Sequence, residues 1–534
     1  MHGMGWWRNI CSGTDPVRNR RSIRELASRR ADVRLDQLAG AGATAPPPEL
    51  DLCVVTHNNG KWIDAFCSSL LQQSYPVDRI YLIAVDNAST DETVQRWEAA
   101  RHAYGGALRG MEVLTQANRG FGSGHNLAAS RGSAPWLVVT NVDLEFEPDA
   151  IANAMQRALA APPRTVAWEF RQKPYEHPRY YDPVTLETAC SSHACVMLRR
   201  SAFEEVGGYD EHIFLYGEDI ELSFRLRDHG YRLQVCPNAV VWHYCYEHAA
   251  AFKAHQYFGS GLTRCLNRLR YDALWNIPAV LTECRRLRDG SRRIPDGRAY
   301  FRRTMRHLLA LAPHFLLHRK RSRLAFPFRP GWYELRREGA FYEHTRRTDP
   351  HGGAAPATVT AVVRVRQPAS TWLREALVTL LHQTHAVSEI VILYDPEHVQ
   401  LDDIPGRIPG RARAVAVAAG DEAAAPRAVA GRQSDAVLTM TDTVLLFADH
   451  VEVTLAALRC GGDNEAAAGL TWTAPARLSA DGRTTFELGY GPGADPAERP
   501  FLMTAAAART HGPNDPARIT TVEKTTAIVR QPGP

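Results

Sequence analysis

The sequence predicts an α/β protein built on a mainly parallel sheet with helices on both faces. Three observations carry this expectation. From Asp51 onward, short apolar runs alternate with stretches whose apolar residues recur at helical spacing. Polar residues gather where the apolar runs end, at Thr56 and Asn58, Asp86 and Asn87, Asn118, then Asn141 and Asp143. After a basic stretch the same alternation starts again near residue 353. Strands alternating with helices imply parallel pairing, because a parallel neighbour needs a crossover.

In chain order, residues 1–48 read as a basic N-terminal arm whose "GAGATAPPPE" is a flexible lead-in. Residues 49–280 form the first domain. "LDLCVVT" is a buried strand, and Ile63, Phe66, Cys67, Leu70 and Leu71 mark the helix after it. "IYLIAVD", "MEVLTQ" and "WLVVT" are further strands, separated by "TVQRWEAAR" and "GHNLAASRG" as helices. "FLYGEDIELSFRLRDHG" (214–230) is a helix with acids at its mouth and Gly230 placed to end it. "YRLQVCPNAVVW" is a strand that leads to His243. Residues 281–352 are basic and partly amphipathic, with Pro313 interrupting the second helical stretch. They suit solvated linker helices, or a membrane-surface face whose cations attract anionic headgroups.

Residues 353–534 resemble the first domain. "WIDAFCSSLLQQSYPVDRIYLIAVD" (62–86) and "WLREALVTLLHQTHAVSEIVILYD" (372–395) share a Trp, an apolar spacing, Leu-Leu-x-Gln and a strand-end Asp. "AVLTMTDTVLLFADHVEV" (436–453) takes the place of residues 136–153. A period this long suggests duplication of a whole domain. In the second copy Asp442 stands between Thr441 and Thr443, and the terminal "TTAIVRQPGP" resembles "HACVMLRRSAF" of the first. On that alignment the chain stops before any counterpart of the acidic helix, and 353–534 reads as a degenerate or truncated domain.

Composition excludes little but is consistent. Hydrophobic residues make up 45% and charged residues 23%, as in a globular protein, and the net charge is only +5. No nucleic-acid signature is present. No apolar run approaches the roughly 20 residues of a membrane span. The ten cysteines contain no CxxC pair, which points to neither a zinc site nor a disulfide framework and suits a reducing cytoplasm.

The chemistry lies in the polar set. Asp86 can accept hydrogen bonds from a ribose or base, or can close an Asx turn with Ser89 or Thr90. "NRGFGSGHN" (118–126) is a glycine-rich loop before a helix, suited to close backbone approach or to plain packing; it does not give GxGxxG. Asp143 ends a buried strand and suits a hard divalent ion whose shell is completed by phosphate oxygens and water. Glu218, Asp219 and Glu221 crowd one helix start, where the dipole favours the charged form and burial opposes it. They either cap the helix or supply a general base.

These motifs, "VVTHNN", "VDNASTD", "NRGFGSGHN", "TNVDLEF", "GGYDEHIFLYGEDIELSFRL" and "WHY", occur in the order seen in inverting family-two glycosyltransferases of the GT-A fold. Residues 50–270 resemble bacterial rhamnosyltransferase-like enzymes of surface-polysaccharide assembly. The resemblance implies a nucleotide-diphosphate-sugar donor, a glycan or lipid-linked acceptor, and a divalent metal, Mg²⁺ or Mn²⁺. It implies that Thr56, Asn58, Asp86 and Asn87 hold the nucleoside side. Asn118, Gly120, Gly124, Asn126 and Asn141 would line the nucleotide. Asp143 and His243 would bind the metal, Asp219 would be the catalytic base, and Glu218 would orient the acceptor. Asn141 departs from the family's Asp-x-Asp, which leaves a catalytically inactive glycan- or nucleotide-binding scaffold as the alternative. The expected location is cytoplasmic, on or near the membrane face.

Overall fold

The computed structural model describes residues 29–33, 35, 46–176, 181–245, 253–320, 322, 357–366, 370–401, 411–418, 421, 424–430, 434–460, 470–478, 501–504 and 519–530. Of the expected flexible lead-in at residues 40–49, residues 40–45 lie outside them.

Strand β1 (Leu50–Thr56) is a continuous apolar run buried on both faces, which is how a central parallel strand reads. Helix α1 (Ile63–Leu71) returns the chain to β2 (Ile80–Asn87), and α2 (Thr93–Tyr104) to β3 (Gly110–Gln116). Helix α3 (Phe121–Arg131) precedes β4 (Trp136–Thr140). The chain continues through β5 (Leu144–Phe146), α4 (Ala150–Ala160), β6 (Thr165–Lys173), β7 (Glu187–Thr188) and β8 (Cys195–Arg199). Helices α5 (Arg200–Glu205) and α6 (Glu218–Asp228) then lead to β9 (Arg232–His243).

The sheet order is β3-β2-β1-β4-β8-β6-β9-β5, with β7 beside β9. The first four strands are parallel, β8 is antiparallel to both its neighbours, and β9 runs parallel to β6. The alternation predicted a mainly parallel sheet, as β1–β4 are; antiparallel pairing at β8, β5 and β7 makes the whole a mixed α/β sheet. One core lies under α1, α2 and α4, with Phe66, Trp97 and Ile151 fully buried. The other lies under α3, α5 and α6, with Ala128, Ala202 and Leu222. Because β1, β2, β4, β6 and β9 point the same way, Thr56, Asp86, Asn141 and His243 all end on one edge of the sheet. In open α/β sheets that edge is where ligands bind.

Helices α7 (Ala254–Tyr271), α8 (Ala279–Ser291) and α9 (Gly297–Leu317) pack around Cys265, Leu266, Leu308 and Phe315. Ile213, just ahead of α6, joins that core. None of the described helices is long and apolar enough to cross a membrane.

The second lobe has β10 (Val359–Arg364), α10 (Ser370–Leu381), β11 (Glu389–Tyr394), β12 (Ala412–Ala416) and α11 (Ala424–Val429). Then come β13 (Ala436–Thr441), β14 (Val444–Leu446), α12 (His450–Cys460), β15 (Leu470–Leu478), β16 (Phe501–Thr504) and β17 (Ile519–Arg530). Its order, β12-β11-β10-β13-β16-β15-β17-β14, matches the first sheet strand for strand and sense for sense. Local hydrogen bonds repeat as well. Gln73 Oε1 accepts from Ile151 N at 3.1 Å, and Gln383 Oε1 accepts from Val451 N at 2.9 Å. Ser69 Oγ accepts from Phe146 N as Thr379 Oγ1 does from Leu446 N. The shared Leu-Leu-x-Gln therefore fixes one helix against the next strand and helix in each lobe.

One expectation is corrected here. "TTAIVR" does not sit in the place of β8. It belongs to β17, which occupies the place of β9, while β16 takes that of β8. The acidic helix of the first lobe lies between β8 and β9; in the second lobe only residues 505–518 join the corresponding strands, and they contain no Glu-Asp pair. The alignment failed because a short β-rich run carries little register information, whereas backbone pairing fixes it.

Candidate active site

The strand ends bring two groups of polar side chains to one edge. On the metal side, Asp143 follows β4 and His243 closes β9, whose register sets Leu144 opposite His243. His243 Nε2 lies 3.4 Å from Asp143 Oδ1 and 3.2 Å from Asn141 Nδ2. On the other side of the ring, His243 Nδ1 lies 2.8 Å from Gln172 Oε1, a pairing that puts a proton on Nδ1. Burial works against a charge on His243, and Asp143 outweighs it, raising the imidazole to about 10. Asp143 in turn is opposed by burial and held below the usual carboxylate range by His243.

A divalent metal suits these donors. A carboxylate and an imidazole nitrogen converge, and the distal ring nitrogen has the hydrogen-bond acceptor that metal-binding histidines ordinarily have. A cation there would displace the proton shared by the pair. Asn141 approaches His243 rather than supplying a second carboxylate, so such an ion would have two protein donors and room for phosphate oxygens.

On the acid side, Gly217 caps α6 in the left-handed region at φ 99°. Glu218 is buried and one carboxyl oxygen, Oε2, has no hydrogen-bond partner. Burial, then the neighbouring Asp219, push its carboxyl up to about 8, so Glu218 carries a proton at neutral pH. Asp219 is partly exposed, and its Oδ1 accepts from Ile220 N at 2.8 Å. Glu221 departs from the expectation of a helix cap or a general base. It is fully buried, paired with Arg225 at 2.7 Å and with the Tyr271 hydroxyl, while Arg225 also donates to the carbonyls of Val206 and Gly208 at 2.6 Å. The three acids thus have three fates: a protonated buried acid, an accessible carboxylate and a structural ion pair.

The segment 191–194 touches both sides. Asn141 N donates to Ala194 O at 2.8 Å, and Ser191 N donates to Ser223 Oγ of α6 at 3.2 Å. His193 bridges Ser191 Oγ at 3.0 Å and the Tyr209 hydroxyl at 2.5 Å. Sequence reasoning missed this chain and missed Gln172. A lone Ser, His or Gln carries no signal until folding supplies its partner. Glu221 and Arg225, at helical i,i+4 spacing, were legible as a pair.

The nucleotide-side residues divide. Thr56 is tied to Asp86 at 3.3 Å and to Trp97 Nε1 at 3.2 Å. Asp86 closes the Asx turn, accepting from Ser89 N at 2.8 Å. Asn58, at φ 56°, accepts from Thr90 N and donates its own backbone N–H to Ser89 Oγ. Asn87 bonds Gly120 O at 3.0 Å and Gln116 at 2.7 Å, and Asn118 holds Gly120 N. Gly120 has φ 98°, and a Cβ there would lie 2.2 Å from Phe214 O, the carbonyl that Phe121 N bonds. A Cβ on Gly124 would lie 2.7 Å from Val55 Cγ2, so this glycine lets α3 press on β1. Asn126 clamps the backbone of Tyr209 through both its amide atoms. The latter two support helix packing, and the others shape the loops that border the edge.

Residues 51–207 match the family described as Glycosyl transferase family 2. The chain carries a family 2 glycosyltransferase domain. Over 238 residues, 36% of this chain and 76% of the relative, the glycosyltransferase is 29% identical to an N-acetylglucosaminyl-diphospho-decaprenol L-rhamnosyltransferase of Mycobacterium tuberculosis. It is 26% identical over 246 residues, 41% of this chain and 73% of the relative, to an O-antigen chain rhamnosyltransferase of Salmonella anatum. Among solved structures, a mannosyltransferase from Pyrobaculum calidifontis in complex with GDP-Man and Mn2+ aligns with 56% of this chain and 95% of its own, at 16% identity and a TM-score of 0.36. The family match places a glycosyltransferase domain on the mixed sheet of the first lobe.

Proposed function

We propose that the first lobe transfers a sugar, rhamnose or a related deoxyhexose, from a nucleotide diphosphate to a lipid-linked glycan acceptor with inversion. What supports this is the Asp143–His243 pair at the sheet edge, together with residues 191–194, which bond both Asn141 and Ser223 of the helix that begins at Glu218 and Asp219. Asp143 and His243 would hold Mg²⁺ or Mn²⁺, which when bound supplies Lewis-acid neutralisation of the leaving diphosphate. Asp219, accessible at the helix N-terminus, takes the proton from the attacking acceptor hydroxyl. Glu218, protonated, donates a hydrogen bond to an acceptor oxygen, a role that its unpartnered Oε2 supports. Attack opposite the diphosphate inverts the anomeric carbon. The names of the two relatives support the sugar and the lipid-linked acceptor.

The second lobe is read as a duplicated, non-catalytic copy. Strand pairing sets Val529 opposite Val444, where the first lobe has His243 opposite Leu144. Thr443 correspondingly precedes Val444 where Asp143 precedes Leu144, so neither metal donor recurs. Asp442 is buried, with its Oδ1 accepting from Arg366 N at 2.9 Å.

The deciding experiment is sugar transfer from nucleotide-diphosphate-rhamnose to a polyprenyl-diphosphate glycan, with and without Mn²⁺. Asp219→Asn should retain donor binding and lose at least ~10²-fold in turnover, the scale of a general base. Undiminished turnover in that variant refutes the assignment; donor binding without any turnover in the parent protein selects the scaffold reading.

A further inference from the structure

The metal-side histidine is oriented by Gln172, and Gln172 lies between two cations held by the second lobe. Arg171 Nη1 donates to Glu452 Oε2 at 2.5 Å, and Lys173 Nζ donates to Glu452 Oε1 at 2.8 Å. Successive side chains of a strand point to opposite faces. On β6, Arg171 and Lys173 therefore project to one side while Gln172 projects to the other, toward His243. Glu452 grips the strand from behind at the residues before and after the one that faces the site.

The grip is built. Thr384 Oγ1 donates to Glu452 Oε2 at 2.7 Å, and Glu452 sits in the first turn of α12, where the helix dipole favours a carboxylate. Burial opposes its charge, but Arg171 and Lys173 outweigh burial and hold the carboxyl well below the ordinary glutamate range. Glu176 engages Arg171 from the first lobe, completing a nearly buried cluster. Apolar contacts fix the lobes around it. Tyr181, Val184 and Leu186, from the connection after β6, lie in the second lobe's own core. The Tyr181 hydroxyl accepts from Ala448 N at 3.1 Å. The grip is also not a by-product of the repeat. Val451 and Ile151 bond equivalent glutamines, so the position after them, Glu452 here, is Ala152 in the first lobe.

We propose that Glu452 is a positioning residue for the donor site, through which the second lobe fixes Gln172 and thereby the Nδ1 hydrogen bond and ring orientation of His243. This rests on His243 being the metal-side ligand of the proposed function. Partners behind a metal ligand typically contribute about 10–100-fold to metal affinity.

The test uses the full chain and three variants. Glu452→Gln removes the charge at constant shape, and Glu452→Asp keeps the charge. Val391→Ala loosens the second lobe in the core under α11, which contains no residue of β6 or α12. Mn²⁺ binding is followed by the electron paramagnetic signal of the free ion, and donor KM and kcat are measured alongside. Glu452→Gln should weaken Mn²⁺ binding about 10-fold or more and raise donor KM more than it lowers kcat. Glu452→Asp should recover part of the loss, and Val391→Ala should lower Tm with Mn²⁺ binding unchanged. Wild-type Mn²⁺ affinity in Glu452→Gln, or an equal loss in Val391→Ala, overturns the proposal. If the parent chain binds no Mn²⁺, it is the metal assignment that fails. The positioning role is then read from the His243 Nδ1–H resonance, assigned with His243→Gln. That resonance should be protected in the parent and exchange-broadened in Glu452→Gln; if it is equally protected in both, the role is excluded.

Discussion

Glu218 and Asp219 are adjacent in the chain, yet folding separates their chemistry. Glu218 is buried with a carboxyl oxygen lacking a partner, and its carboxyl is pushed up to about 8; Asp219 is partly exposed. The stability consequence has a definite sign. A folded-state value above the ordinary one for glutamate means that the folded chain binds the extra proton between about pH 4.5 and pH 8. Stability from this group is complete below that window and declines as pH rises through it. Glu218→Gln, which cannot ionise, should therefore raise Tm relative to the parent at pH 9 more than at pH 5, measured by calorimetry. An equal shift at both values would show that Glu218 is charged throughout. Neither fate was legible in the sequence, because desolvation is a property of the folded surroundings and three neighbouring acids look alike on the page.

At the level of elements, the loop before α3 and the loop before α6 are one unit. Phe121 N bonds Phe214 O at 2.9 Å, and Gly120 permits this only because its φ of 98° and missing Cβ leave room for that carbonyl. Gly120→Ala should destabilise the domain by about 1–3 kcal/mol, the cost of a strained backbone position, and should also lower kcat by displacing the segment that leads to Asp219. Urea unfolding and steady-state rates check the two effects; a variant with parental values for both would show that the loops move independently. Strands β1–β4 and β9 and helices α1, α2, α3 and α6 of the first lobe were legible in the sequence, whereas β5–β8, α4 and α5 went unread, the shortest of them because they repeat too little of their own signal. The edge residues were legible as a group but not by role. Asp86 closes a turn and Asn126 holds the Tyr209 backbone, and no local pattern distinguishes an asparagine that binds the chain from one that binds a ligand. In the second lobe the register of β17 was misread for want of helical spacing to anchor it.

For the whole molecule, the two lobes share buried surface rather than a flexible joint. Tyr181, Val184, Leu186 and Leu35 belong to the core that β10, α10 and β13 build. Arg30, from the expected basic arm, pairs with Asp182 of the first lobe and Glu375 of the second. A chain ending at residue 356 should therefore expose apolar surface and aggregate or melt well below the full protein, which should show a single cooperative transition in differential scanning calorimetry. An independent melt at the parental Tm would instead mark the lobes as autonomous. The helical extension supplies a different kind of surface. Trp275 is 77% exposed and Leu317 is 82% exposed, with Leu274, Leu281 and Leu309 also exposed. On the same helical extension, Arg285, Arg286, Arg302, Arg303 and Arg306 face solvent. Exposed apolar side chains and cations on one set of helices suit an anionic bilayer surface. The protein should co-sediment with phosphatidylglycerol vesicles at low salt, and Trp275→Ala with Leu317→Ala should reduce this without altering the fold; equal binding to neutral vesicles would point to apolar contact alone.

The common core also has a genetic reading. If the reactive groups sit in one half while the other half supplies part of its interior, the two must be inherited and selected together. A screen for lost transfer activity would then recover lesions at Leu377 or Phe447, in the second lobe, and a map of such lesions would trace the seam rather than the chemistry.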